Sequence, residues 1–141
     1  MIISNAQMHD MSALALAHIG DAVYELLVRT ELCRSGRHTA SELHRQTVRY
    51  VSAGAQARAA LKLLPQLTEA EAAVYRRGRN CHSHAAPHAV SEGEYHAATG
   101  LEALFGWLYL REEQARINEL FAMIMEDDHA PGRHGADGAA P

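Results

Sequence analysis

Residues 12–29 read SALALAHIGDAVYELLVR, and their apolar side chains recur with the period of an α-helix. Ser12 is a suitable N-cap for this helix, and Ser35-Gly36 is a plausible stop. Asp21 lies inside the apolar pattern, directly after Gly20. A buried carboxylate without a partner is strongly unfavourable, so a fold normally replaces it, neutralises it or uses it.

A second carboxylate is embedded in the same way further along the chain. Residues 98–106 read ATGLEALFG, so Glu102 is surrounded by apolar and small residues. Oxygen ligands from two separate helices suit Mg²⁺, which usually keeps several waters that a substrate phosphate can displace. The alternative is that each carboxylate caps a helix or pairs with an arginine, as Glu25 can do with Arg29 four residues on. Asp21 and Glu102 fit that alternative less well, so together they indicate a Mg²⁺-dependent nuclease.

Helical periodicity extends over most of the chain, and few stretches alternate as strands do. Thr68 and Glu71 form a capping-box pattern at the start of one segment. We predict helices over residues 12–34, 39–64 with a break near 52–54, 68–78, 92–110 and 112–125, and a polar loop over residues 79–90. The sequence therefore predicts one all-α domain over residues 1–126. Residues 127–141 are rich in Gly, Pro and Ala and are expected to be a disordered tail.

The composition limits the classes of protein to which the chain can belong. Its 141 residues are 48% hydrophobic, which is typical of one globular domain. The net charge is −4, so any contact with a nucleic acid must come from a local basic patch. The two cysteines have no CxxC spacing, and no apolar run reaches the roughly 20 residues of a membrane span. We expect a soluble, cytoplasmic protein that contacts no membrane.

A basic segment separates the two acidic ones. Between Ala72 and Ser91 there is no acidic residue, whereas this segment contains Arg76, Arg77, Arg79, His82, His84 and His88, with Asn80 and Ser83 as neutral hydrogen-bonding groups. The planar fork of arginine suits phosphate oxygens, although a solvated loop with some paired arginines is the alternative. Beside a Mg²⁺ site, the segment favours phosphodiester chemistry. A zinc site among the ten histidines is disfavoured, because HExxH and paired CxxC spacings are absent.

These motifs resemble those of ribonuclease III domains. Residues 14–25, LALAHIGDAVYE, look like the signature helix of that family, and residues 99–110, TGLEALFGWLYL, look like its second acidic helix. Residues 76–80 followed by Ser83, and residues 50–57, are similar to the Mini-ribonuclease III branch, which lacks a double-stranded-RNA-binding domain. The motifs occur in the family's order between residues 14 and 120.

The resemblance implies an all-helical homodimer that cleaves double-stranded RNA with Mg²⁺, for which Mn²⁺ can substitute. Asp21 and Glu102 match the catalytic acids, which would hold the metal and the attacking water and leave a 5′-phosphate and a 3′-hydroxyl. Glu42 matches a further acidic position only loosely. The RNA contacts would come from Arg76, Arg77, Arg79, Asn80, His82 and Ser83. The branch implies maturation of the ends of 23S ribosomal RNA from a precursor stem, with a ribosomal protein as a partner that presents the stem.

The chain also departs from the pattern of the larger ribonucleases III. Ala17 stands where they carry a glutamate and Thr99 where they carry an aspartate, a thinning that the Mini branch shares. His82 stands where the branch usually has lysine. These departures imply weaker or water-mediated Mg²⁺ coordination and leave open a non-catalytic RNA-binding or ribosome-associated module with the same fold. A further alternative is an all-α metal phosphohydrolase acting on nucleotides, since such folds also gather carboxylates from helices. A dimer is expected to bury one apolar side of residues 14–28.

Overall fold

The computed structural model describes residues 1–36, 38–81 and 91–126, and every regular element in these ranges is helical. The elements are α1 (Asn5–Asp10), α2 (Ala13–Arg34), α3 (Ala40–Val51), α4 (Ala53–Leu63), a 3₁₀ turn (Leu64–Gln66), α5 (Glu69–Asn80), α6 (Glu92–Leu110) and α7 (Gln114–Met125). The all-α prediction is confirmed. None of the described helices is long and apolar enough to cross a membrane.

Side-chain caps define where most of these helices begin. The Ser12 hydroxyl accepts a hydrogen bond from the backbone N–H of Ala15 at 3.0 Å, so α2 begins where the sequence predicts. The capping box of Thr68 and Glu71 is also present. Ser52 ends α3 and caps α4, which confirms the predicted break between those helices.

The core is built around α6, which buries side chains on most of its surface. Leu101, Leu104 and Leu108 are fully buried, and α2, α4 and α5 pack around them. Tyr24 of α2 makes edge-to-face contacts with Phe105 of α6 and Phe121 of α7, with ring centroids 5.4 and 6.0 Å apart. Such aromatic contacts fix the relative positions of three helices.

The structure corrects the prediction in three places. Helix α1 was not predicted, although Ser4 and Gln7 form a capping box at its start. The last helix begins at Gln114 rather than at residue 112, because Glu112 has a φ of 58°, in the left-handed region that interrupts a helix. Helix α5 continues through Gly78 to Asn80, so the segment predicted as a loop begins later.

Close packing explains why α5 does not end at its glycine. A Cβ atom on Gly78 would lie 2.6 Å from the Cβ of Ala103 on α6. Glycine therefore allows α5 to approach α6, and this contact outweighs the low helix propensity of glycine, about 1 kcal/mol. The remainder of the predicted loop, residues 82–90, and the predicted tail, residues 127–141, lie outside the described residues.

Candidate active site

Helices α2 and α6 cross with their backbones in contact at two glycines. A Cβ atom on Gly20 would overlap the carbonyl oxygen of Glu102, and one on Gly106 would overlap the carbonyl oxygen of Leu16. Any side chain larger than hydrogen would force the helices apart at either position. The crossing therefore places Asp21, the residue after Gly20, beside Glu102.

Asp21 and Glu102 interact directly at this crossing. Asp21 is exposed to solvent, whereas Glu102 is only partly exposed. Burial of Glu102, and then the negative charge of Asp21 and a side-chain hydrogen bond with it, raise the pKa of Glu102 to about 8. Without a cation the pair therefore holds a proton near neutral pH instead of carrying two negative charges. The two carboxylates that the sequence singled out lie in one site.

This carboxylate pair fits a hard divalent cation. Both donors are carboxylate oxygens, which Mg²⁺ prefers, and a bound cation would replace the proton that the pair now requires. Within the described ranges, no third His, Cys, Asp or Glu side chain joins the pair to form a larger metal-ligating group. A Mg²⁺ ion bound here would have to complete its coordination with waters and with phosphate oxygens of a substrate.

Two positions where the larger ribonucleases III carry acidic residues hold Ala17 and Thr99 in this chain, and neither side chain can bind a metal ion as a carboxylate. Ala17 is buried in the core. Thr99 is also buried, and its hydroxyl donates a hydrogen bond to the backbone carbonyl of Tyr95 at 3.0 Å, within α6. The site therefore has fewer acidic groups than the pattern of the larger ribonucleases III requires.

The other acidic residues considered above have ordinary structural roles. Glu25 pairs with Arg29 at 3.4 Å, as their spacing predicts. Glu42 accepts a hydrogen bond from the backbone N–H of Thr39 at 3.2 Å and so caps α3. Neither residue forms a metal-ligating group with Asp21 and Glu102.

The predicted RNA-binding arginines lie on the last turns of α5 and not in a loop. Arg76, Arg77, Arg79 and Asn80 are exposed there. Arg76, Arg77 and Asn80 line an open depression of about 560 Å³ together with Ala13 of α2 and Cys81. The C-terminus of α5 carries a partial negative charge, which favours the positive charge of the arginines there. His82 and Ser83 lie outside the described residues.

A second basic depression adjoins the first and was not found from the sequence. It has a volume of about 310 Å³, and its polar lining consists of Asn5, His9, Arg77 and Arg111, with Trp107 at its wall. The guanidinium carbon of Arg111 lies 4.6 Å from the ring centroid of Trp107. Their spacing of four residues was a usable signal for this cation–π contact. The contribution of α1 to this depression could not be found from the sequence, because that helix was not predicted.

Comparison with known proteins agrees with this geometry. The model of the "Ribonuclease III domain" family matches residues 14–113. A protein named Mini-ribonuclease 3 from Symbiobacterium thermophilum is 48% identical over 107 residues, which are 76% of this chain and 82% of that protein. A protein of the same name from Synechocystis is 45% identical over 121 residues, covering 86% of this chain and 82% of that protein. A crystal structure of a protein from Fusobacterium nucleatum superposes with a TM-score of 0.78 at 27% identity, covering 86% of this chain and 98% of the other.

Proposed function

The chain belongs to the ribonuclease III family and is an endoribonuclease, and we propose that it cleaves double-stranded RNA by Mg²⁺-dependent hydrolysis at Asp21 and Glu102. The observation that carries the proposal is the glycine-mediated crossing of α2 and α6, which brings these two carboxylates close enough for Asp21 to raise the pKa of Glu102. A helical protein that only bound RNA would have no need to hold two acidic groups against each other, because they would repel a phosphate.

The two carboxylates have different tasks, which follow from their surroundings. Glu102 is held by the packing of α6 and is fixed in position, whereas Asp21 is exposed and faces the solvent from which RNA approaches. Both would ligate Mg²⁺, which would supply positive charge to stabilise the phosphorane-like transition state and activate water. Because Glu102 retains a proton in the metal-free state, metal binding must release that proton.

RNA binding is proposed to involve Arg76, Arg77, Arg79 and Asn80, together with His82 and Ser83. The exposed positions of the first four on one helix end support this role, since arginine contacts with phosphates supply most sequence-independent affinity. Duplex binding should be modest and should weaken steeply with salt.

The biological substrate, assembly and location rest on the resemblance to the Mini-ribonuclease III branch. We propose that the protein matures 23S ribosomal RNA precursor ends in the cytoplasm, as a homodimer, with a ribosomal protein that presents the stem. Two copies would supply two Asp21–Glu102 pairs, one for each strand. An exposed leucine, Leu26, on the α2 face supports the dimer.

The first test is cleavage of a long double-stranded RNA by purified protein with Mg²⁺, with Mn²⁺, with Ca²⁺ and with EDTA. Asp21→Asn and Glu102→Gln should each slow cleavage roughly 100-fold or more, because several kcal/mol of transition-state stabilisation depend on the metal. Their helicity should be unchanged. Glu25→Gln is the matched control, since Glu25 is a carboxylate of α2 that pairs with Arg29 outside the site.

Three results would contradict the proposal. Intact RNA with Mg²⁺ and Mn²⁺, together with saturable binding and with the native precursor stem and its ribosomal partner also uncut, would favour the non-catalytic module. Release of inorganic phosphate or pyrophosphate from nucleotides without cleavage of RNA would favour the metal phosphohydrolase. Cleavage that Asp21→Asn leaves unchanged would remove the carboxylate pair from the mechanism.

A further inference from the structure

We propose that the depression formed by His9, Arg77, Trp107 and Arg111, here called the basic pocket, binds a phosphate group of the RNA backbone. The inference rests on the proposed function, because it names a further contact for the same RNA. It adds residues of α1 and of the end of α6 to the RNA-binding surface that the sequence predicts within residues 76–83.

The basic pocket lies close to the carboxylate pair along both helices of the crossing. Leu16 lines the pocket and lies against Gly106 at the crossing. Trp107 is five residues after Glu102, and Leu16 is five residues before Asp21. Each helical residue adds about 1.5 Å along the axis and about 100° around it, so the pocket begins roughly 7 Å along each helix from the carboxylates and on a different side of each helix.

The charges that line the pocket suit an anion. Among the described residues, Arg77 makes no ion pair, and no carboxylate lines the pocket. Arg111 pairs with Glu113 through its Nε atom at 3.3 Å, which occupies one edge of its guanidinium group. Glu112, the other acidic residue beside Arg111 in the sequence, pairs with the N-terminal amine at 3.5 Å. The pocket therefore presents two guanidinium groups and a histidine without a neutralising carboxylate in its wall.

Trp107 holds the Arg111 side chain in a conformation that suits phosphate binding. The guanidinium group lies over the indole ring, with 4.6 Å between its carbon and the ring centroid. This contact restricts a side chain that would otherwise lose much rotamer entropy on binding. A fixed planar guanidinium can then offer paired N–H groups to phosphate oxygens.

Continuity with the neighbouring depression indicates RNA and not a small phosphate ligand. Arg77 lines both the basic pocket and the depression of Arg76 and Asn80. The two depressions therefore form one basic surface that runs from the end of α5 to α1 and the end of α6. Successive phosphates of one strand can occupy such a surface, whereas a free nucleotide would use only one part of it.

The test exploits Trp107, which is the only tryptophan of the chain. Tryptophan fluorescence and the anisotropy of a labelled RNA duplex would be measured together, in EDTA so that the RNA is not cut. We expect duplex RNA to change the fluorescence of Trp107 with the same midpoint as the anisotropy. Arg77→Gln and Arg111→Gln should each weaken duplex binding several-fold and reduce the slope of log K against log salt by about one.

Arg45→Gln is the matched control. Arg45 is an exposed arginine of α3 that lines neither depression, so its loss should leave the salt slope unchanged. Arg111→Gln also removes the contact with Trp107, and its thermal unfolding must be checked. Arg77→Gln removes no described ion pair or ring contact, so its thermal unfolding should match that of the wild type, and weaker binding with unchanged unfolding would reflect the lost RNA contact. Arg111→Lys, which keeps the charge, should restore most of the salt slope.

Other outcomes would overturn the inference in distinguishable ways. Duplex affinity and salt slope equal to those of Arg45→Gln in both pocket variants would show that RNA does not enter the pocket. A saturable change of Trp107 fluorescence with inorganic phosphate or CMP, but none with duplex RNA, would assign the pocket to a free phosphate ligand. Normal duplex binding that depends on Arg111, without any cleavage in Mg²⁺, would support the pocket and refute the proposed nuclease.

Discussion

Glu102 is a carboxylic acid whose protonation depends on its burial and on the neighbouring Asp21. Its pKa of about 8 lies well above the ordinary value of 4.5, because burial and Asp21 both disfavour the carboxylate. Between these two values the folded protein binds a proton that the unfolded chain has released. The proton therefore stabilises the fold at low pH, and the metal-free protein loses stability as the pH rises from 4.5 to 8.

The first prediction concerns this fall in the stability of the metal-free protein as the pH rises. Between pH 6 and pH 8.5 the metal-free protein should lose about 2 kcal/mol of unfolding free energy relative to Glu102→Gln, after allowance for partial exposure. Urea unfolding at both pH values measures the difference. Glu25→Gln should follow the wild type, and Mg²⁺ should recover the lost stability at pH 8.5. Parallel pH profiles for the wild type and Glu102→Gln would contradict the raised pKa.

The role of Glu102 could be suspected from sequence, but its contact with Asp21 could not be derived. Apolar neighbours singled out both residues, and Gly20 and Gly106 beside them are consistent with a close approach. Yet helical periodicity describes one segment at a time and does not specify which helices cross or at which residues. The resemblance to a family supplied that pairing, and the structure gives its physical cause.

At the scale of the elements, the crossing of α2 and α6 makes a sharp prediction. Gly20→Ala should destabilise the protein by about 3 kcal/mol or more, because the new Cβ would overlap the backbone of Glu102. Gly93→Ala is the matched control in α6, where a Cβ would meet nothing within 4 Å. This control should gain up to about 1 kcal/mol from helix propensity. Thermal unfolding of both variants checks the pair, and equal effects would contradict the close crossing.

Element boundaries were predictable where a local signal decides them. Ser12 and Thr68 were predicted as caps, and the structure confirms both. The predicted break near residue 52 is also confirmed, and there the Ser52 side chain caps α4. The predicted end of α5 at Gly78 was wrong. The helix continues through this glycine because Gly78 packs closely against Ala103 of α6. That contact joins two helices, so it could not be predicted from the helix propensities of the local sequence.

An ion pair between α5 and α7 gives the third prediction. Arg116 donates from Nε and a terminal nitrogen to the two carboxylate oxygens of buried Glu71, each at 2.8 Å, and it also bonds the carbonyl oxygen of Gln66. These bonds lower the pKa of Glu71, with the Arg116 hydrogen bond as the largest cause. Arg116→Gln would leave a buried carboxylate without its charge partner and should cost about 2 to 3 kcal/mol near neutral pH.

The control for this variant is Arg34→Gln. Arg34 pairs with Glu31 on the surface of α2, where an ion pair contributes about 0.5 kcal/mol or less. Because the Glu71 pKa is depressed, the stability from its pair is present above pH 4.5 and disappears as the pH falls through the lowered value. The difference between the two variants should therefore shrink in acid. A difference that persists there would indicate packing of the Arg116 stem as its source.

At the scale of the whole molecule, the described part of the chain contributes one Asp21–Glu102 pair, whereas cleavage of a duplex requires two strands to be cut. A groove of about 1020 Å³ between α2 and α7 is lined by Leu26, Leu27, Phe121, Met123 and Met125, among others. Leu26 is 66% exposed at this groove. An apolar surface of this kind on the α2 face is where the sequence predicted that a second copy would pack, since a two-fold interface uses the same patch twice.

Leu26→Glu should therefore convert the proposed dimer to a monomer, because a charged side chain would be buried twice at the two-fold interface. Light scattering at micromolar concentration measures the mass, and cleavage of a duplex with each strand labelled measures the consequence. Leu61→Glu is the matched control, since Leu61 on α4 is equally exposed at 70% and lies outside the groove. The control should remain dimeric and cut both strands, whereas Leu26→Glu should lose the coordinated cutting of both. A monomeric wild-type protein that still cuts both strands would show that one Asp21–Glu102 pair serves each strand in turn.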